Sequence, residues 1–161
     1  IWFSQREASW RKNATKVACG DIDGDGKDEV FISHSEKAGY PIAWYDSPDP
    51  KTDSWQQHII HEGMGGVHTL QVGDIDLDGD LDVLAGENGG HSIPDDDRLR
   101  QVRIFLNQGD NQNWEVHPLK DDGLYNGLLV KFNGDQMLDI CGPGAHEKEP
   151  YFVWVNGMKA K

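Results

Sequence analysis

Two stretches of this chain set carboxylates at a spacing that suits a hard cation. Asp21-Ile-Asp23-Gly-Asp25-Gly26-Lys27-Asp-Glu29 is followed, 53 residues later, by Asp74-Ile-Asp76-Leu-Asp78-Gly79-Asp80-Leu-Asp82. Counted from the first Asp, side-chain oxygens fall at positions 1, 3, 5 and 9, and a main-chain carbonyl falls at position 7. Ca2+ takes about six to eight oxygen ligands, and glycine at position 6 permits the sharp turn such a loop needs. The predicted ligands are Asp21, Asp23, Asp25, the Lys27 carbonyl and Glu29 in the first loop. In the second they are Asp74, Asp76, Asp78, the Asp80 carbonyl and Asp82. Four carboxylates this close repel one another without a cation, so binding should stiffen each loop. An EF-hand needs flanking helices and a Glu at position 12, whereas Ile32 and Ala85 stand there.

A third copy, Lys131-Phe-Asn133-Gly-Asp135-Gln136-Met-Leu-Asp139, is degenerate, with lysine at position 1 and glutamine at position 6. The loop Lys131–Asp139 is predicted to hold no calcium. Either the Lys131 ammonium stands in for the ion, or the loop has decayed into a metal-free turn.

The elements that position these loops repeat on the same beat. Ser9-Trp10, Ser54-Trp55 and Asn113-Trp114 each open a short β-type run. Further runs recur as Ile42-Ala-Trp44-Tyr45, Val102-Arg-Ile104-Phe105-Leu106 and Phe152-Val-Trp154-Val155. Each period of about 50 residues therefore holds four short strands punctuated by Gly, Pro, Asn and Asp. No segment sustains a helical period. The expected fold is all-β, built of β-propeller blades of four antiparallel strands, about three blades, an incomplete ring on its own. The expected division is 1–14 as the last two strands of a preceding blade, 15–62 and 63–120 as blades with a cation loop, and 121–161 as a partial blade. Three blades cannot close a ring, so the chain reads as part of a larger propeller or as a unit that assembles with other copies.

Alternate loops of a propeller lie on opposite faces. Opposite the acidic loops, the second-to-third-strand connections carry His34, His91 and His146, followed by Pro41, Pro94 and Pro150. His68 falls in the connection leading into the second blade, and Tyr125 holds the matching place in the third. With Glu87 and Arg98 these make a candidate ligand-binding face, suited to a sugar and an acidic one above all. His68, His91 and Glu87 are the candidate catalytic residues, and a His34–Glu87–His91 metal site would favour an enzyme. The competing reading is an idle histidine inherited with the repeat. Trp44, Tyr45 and Tyr125 offer stacking faces, although strand tryptophans more often pack between blades; His58 and His117 read as outer-strand packing. Cys19 and Cys141, two blades apart, read as buried thiols rather than a disulfide.

Composition narrows the classes. The 161 residues carry 28 Asp+Glu against 15 Lys+Arg, a formal charge of −13, with no basic stripe for nucleic acid or an anionic membrane surface. No apolar run is long enough to span a bilayer, so no membrane insertion is expected. The chain begins without Met and shows no signal peptide, which suits a mature or excised segment.

The two strong loops and their β-flanks resemble the FG-GAP/VCBS repeat family. That family includes the propeller of integrin α-subunits, propeller lectins and sugar-active propeller enzymes. The Phe-Gly and Gly-Ala-Pro cassettes that name the family are not cleanly present, Gly142-Pro-Gly-Ala145 being the nearest, so the looser VCBS subset matches better. The resemblance implies two calcium ions in loops joining the first two strands of a blade, structural rather than catalytic, in a secreted or extracellular protein. It implies a calcium-stabilised module binding glycan or protein. The alternative is part of a propeller enzyme acting on sugars, a polysaccharide lyase or sugar dehydratase.

Overall fold

The computed structural model describes residues 14–35, 38–88, 100–120, 122–144 and 150–159. Among these the chain is all-β and forms three antiparallel sheets of four, four and three strands, with no closed ring. The first sheet is β1 (Ala14–Gly20), β2 (Glu29–His34), β3 (Ala38–Asp46) and β4 (Gln56–Gly65), hydrogen-bonded in chain order. The second is β5 (Val67–Gly73), β6 (Asp82–Glu87), β7 (Val102–Asn107) and β8 (Trp114–Lys120), again in chain order. The third places β10 (Asp139–Pro143) between β9 (Leu128–Val130) and β11 (Tyr151–Trp154). These are propeller-type blades, and the acidic loops join the first and second strands of each. The strands preceding residue 14 expected from the sequence lie outside the described residues.

Register explains the burial. Side chains alternate across a strand, so a blade held between two others must be apolar on both faces. In β6, Val83 and Ala85 point towards the first sheet and join Phe31, Ile42, Trp44, Met64 and Leu70. Leu84, one residue out of phase, points the other way and packs with Ile104, Leu106, Leu124 and Ile140. Outer strand β8 has one side to water and is mostly exposed. The strand tryptophans serve packing: Trp44 and Trp114 lie in the first of these clusters, Trp154 against the second and Trp55 against Ile32, Ala43 and Tyr45.

Neighbouring sheets meet through glycines that close β1 and β5. A Cβ on Gly20 would lie 2.6 Å from Leu81 Cδ1, and one on Gly73 would lie 2.7 Å from Leu138 Cδ1. The leucine that precedes one blade's second strand thus seats in the glycine notch of the blade before it.

Two expectations are corrected. Cys19 is exposed and Cys141 only half-buried, both as free thiols. Cys19 pairs across the ladder with Val30 and Cys141 with Val153, on faces of the first and third sheets that carry no neighbouring sheet among the described residues. His68 sits within β5 rather than in a connecting loop, because a single residue, Gly66, separates β4 from β5.

Gly86 tests the packing. A Cβ there would approach Leu124 Cβ at 2.7 Å and the Leu124 carbonyl oxygen at 3.0 Å, a main-chain atom with little room to yield. Gly86→Ala is expected to lower stability by about 1–3 kcal/mol in urea denaturation. An unchanged midpoint would contradict this packing of the second and third sheets.

Candidate cation-binding loops

The three loops share one frame. In each, the carboxylate at position 9 opens the second strand and accepts the main-chain N–H of position 2. Glu29 Oε2 takes Ile22 N at 3.0 Å, Asp82 Oδ2 takes Ile75 N at 2.8 Å, and Asp139 Oδ2 takes Phe132 N at 2.9 Å. All three carboxylates are buried. In the second and third sheets the other oxygen reaches the far end of the third strand: Asp82 Oδ1 accepts Asn107 N and Asp139 Oδ1 accepts Asn156 N.

Positive φ angles then fold the loop inward. Position 4 is left-handed in every copy, as Gly24 (75°), Leu77 (61°) and Gly134 (84°). Position 6 is left-handed in the first two, as Gly26 (86°) and Gly79 (99°). Leucine in this region costs roughly 1–2 kcal/mol, so the second loop stores strain that glycine avoids in the others. The position-1 carboxylate closes the curl by accepting the position-6 N–H, Asp21 from Gly26 at 2.9 Å and Asp74 from Gly79 at 3.2 Å.

The predicted ligands converge unevenly. Asp21, Asp23 and Glu29 present oxygens within 4.8 Å of one another, and so do Asp74, Asp76 and Asp78. Asp25 stands outside the first group, its Oδ2 held by Lys27 Nζ at 2.6 Å, which draws its carboxyl below the usual range. Asp82 stands outside the second group and serves as the frame acceptor. Asp80 is half-buried, its Oδ2 close to Gly109 of the third-to-fourth-strand connection.

The chemistry of the set fits a cation. Asp21 Oδ1 is buried with no hydrogen-bond partner, while its Oδ2 is engaged by Gly26. Asp82 is pushed up to about 6 by burial, against the pull of the Asn107 and Ile75 N–H groups and with help from Asp76 and Asp78. Glu29 is likewise raised, first by burial and then by Asp23, Asp25 and Asp21. Asp139 receives the same kinds of N–H bond without that acidic company, and its carboxyl is lowered, chiefly by Asn156. Two unit charges about 5 Å apart repel by roughly 3 kcal/mol at an effective dielectric near 20. A divalent ion reverses that sign. In the third loop the position-1 to position-6 tie is kept by side chains, Lys131 Nζ donating to Gln136 Oε1 at 3.1 Å.

On the opposite face, the described candidates are engaged in structural contacts. Glu87 Oε1 accepts Gly65 N at 2.6 Å and Oε2 accepts Gln101 N at 2.9 Å, while its carbonyl takes Leu124 N. It ties the first two sheets to each other and to the segment leading into the third. His34 is buried and stacks on Tyr40, centroids 4.5 Å apart, and His68 packs on Tyr125 at 5.0 Å. Trp44 and Tyr45 are buried, and His58 already covers one face of Trp44, stacked at 3.8 Å. His91, Arg98 and His146 lie outside the described residues.

Residues 21–85 match the family described as FG-GAP-like repeat, a span running from position 1 of the first loop to position 12 of the second. The likeness is confined to that segment. No curated protein matches the chain. The FG-GAP-like segment holds both acidic loops and stops short of the degenerate one.

The frame missed in the sequence was the second duty of position 9. Its signal was present in the third copy, where Asp139 persists although positions 1 and 6 are lost.

The raised Asp82 carboxyl gives a direct test. Its folded pKa lies above the unfolded value, so the native state holds this proton more tightly than the unfolded chain does. Its contribution to stability is therefore fullest below about pH 4 and is lost as pH rises through about 6. A carbon-detected NMR titration in chelator should place the Asp82 midpoint near 6 and move it down when divalent cation is added. A midpoint near 4 without cation would contradict this electrostatic picture.

Proposed function

We propose that the chain is a calcium-stabilised β-propeller segment of a secreted protein, serving as a binding module for a glycan or protein. The observation that carries the reading is the contrast among the three loops. Two gather three carboxylates each within 4.8 Å, one with an orphaned buried oxygen, while the third is closed by a lysine–glutamine bond. Asp21, Asp23 and Glu29 would hold one ion, with Asp25 and the Lys27 carbonyl joining once Asp25 leaves Lys27. Asp74, Asp76 and Asp78 would hold the other, with the Asp80 carbonyl and Asp82 behind them. Calcium supplies charge neutralisation and a rigid oxygen cage.

A binding role accords better with the opposite face than catalysis does. Glu87 spends both carboxylate oxygens on backbone N–H groups, and His34 is buried under Tyr40. No helix among the described residues is long and apolar enough to cross a membrane. The third sheet exposes Leu128, Tyr151, Val153 and Val155, an apolar face that supports packing against the remainder of a larger propeller or another copy of the chain.

Calcium should raise the melting temperature and bind at two ions per chain in calorimetry. Asp21→Asn and Asp74→Asn should each remove one site. At 100 times its Kd a single ion adds about 2.7 kcal/mol of stability. No shift between excess EDTA and millimolar calcium would sink the assignment. Glycan and secreted-protein arrays probed with and without calcium test the binding role; a calcium-stabilised chain that captures neither class contradicts it.

A further inference from the structure

Among the polar contacts across the seam between the first and second sheets, one pairs two titratable side chains. His61 on β4 and Arg103 on β7 meet at 2.7 Å, Nε2 to Nη1. The guanidinium has donors and no acceptor, and it stays protonated. His61 Nε2 must therefore be the acceptor, which fixes the ring as the neutral tautomer with its proton on Nδ1. Protonating Nε2 would destroy the hydrogen bond and set two cations against each other in a half-buried site. Both residues are half-buried, and the imidazole lies against the Phe105 ring with centroids 5.2 Å apart.

We propose that the His61–Arg103 contact is a pH-sensitive latch between the first and second sheets, closed while His61 is neutral and released when it takes up a proton. The charges acting on His61 are Arg103 from β7 and Glu62 beside it on β4, while its cross-strand partner on β3 is the apolar Ile42. Burial comes first and Arg103 second in lowering the imidazole below its ordinary value, and Glu62 only partly opposes them. A group whose folded pKa is depressed in this way favours the native state above the unfolded value of about 6.5, and that favour is lost as pH falls below it. The raised Glu29 and Asp82 carboxyls act in the opposite direction over the acid part of this range, so the latch must be isolated by substitution.

Proton- and nitrogen-detected NMR on the full chain should show His61 protonated on Nδ1 at pH 7 and titrating below 6.5. Arg103→Met keeps the aliphatic bulk and removes the charge; it should tighten His61 proton binding at least threefold. His61→Gln keeps an acceptor oxygen that does not titrate. Relative to this variant, the wild type should lose urea stability between pH 7 and pH 5. A His61 midpoint at or above 6.5, a midpoint unmoved by Arg103→Met, or parallel pH profiles for wild type and His61→Gln would each overturn the latch. If His61→Gln fails to fold, the wild-type titration and its response to Arg103→Met still decide.

Discussion

The structure depends on a buried carboxylate at the start of each blade's second strand. Glu29, Asp82 and Asp139 each accept the N–H of a residue seven positions earlier, and so close the loop between the first two strands. The constraint is topological as well as local. Asp82 and Asp139 also accept from Asn107 and Asn156 at the end of the third strand, so one side chain fixes three strand ends at once. Asn156 extends the tie to the preceding blade, its Nδ2 donating to the Ile75 carbonyl between Asp74 and Asp76. A cation bound in the second loop would therefore order a segment that the third sheet already holds.

This frame explains why the acidic residues can be crowded without unfolding the blade. The loop shape comes from N–H bonds and left-handed residues, and it survives in the third copy with no acidic triad. In the first two copies the same frame brings extra carboxylates into a space where burial already disfavours charge. Asp82 is raised by burial first and by Asp76 and Asp78 after it, whereas in Asp139 the N–H bond from Asn156, joined by those from Phe132 and Asn133, outweighs burial and lowers the carboxyl. The acidic loops are thus strained electrostatically in a way that a divalent ion relieves and a lysine–glutamine pair avoids.

Much of the fold was legible because its period is written in types that few other structures require together. Asp at alternate positions, glycine at position 6 and a β-branched run after position 9 place the loop and the second strand, and the tryptophans mark the fourth. What escaped depends on partners distant in sequence. Gly20 and Gly73 stand one residue before the acidic loops and look like ordinary turn glycines, yet their lack of a side chain receives Leu81 and Leu138 from the next blade. Glu87 looked like a ligand because a carboxylate beside histidines suggests chemistry; its two bonds to backbone N–H groups come from residues 22 and 14 positions away. Cys19 was misjudged because burial of an inner strand was assumed on both faces, while one face of the first sheet is open among the described residues.

Two of the three loops gather carboxylates suited to a cation, and the third is closed by a lysine–glutamine bond. A crystal structure grown in millimolar calcium, with anomalous data, tests this most directly. One ion is expected in the loop of Asp21, Asp23 and Glu29, one in the loop of Asp74, Asp76 and Asp78, and none beside Lys131. Vacant first and second loops at that concentration, or an ion in the third, would contradict it.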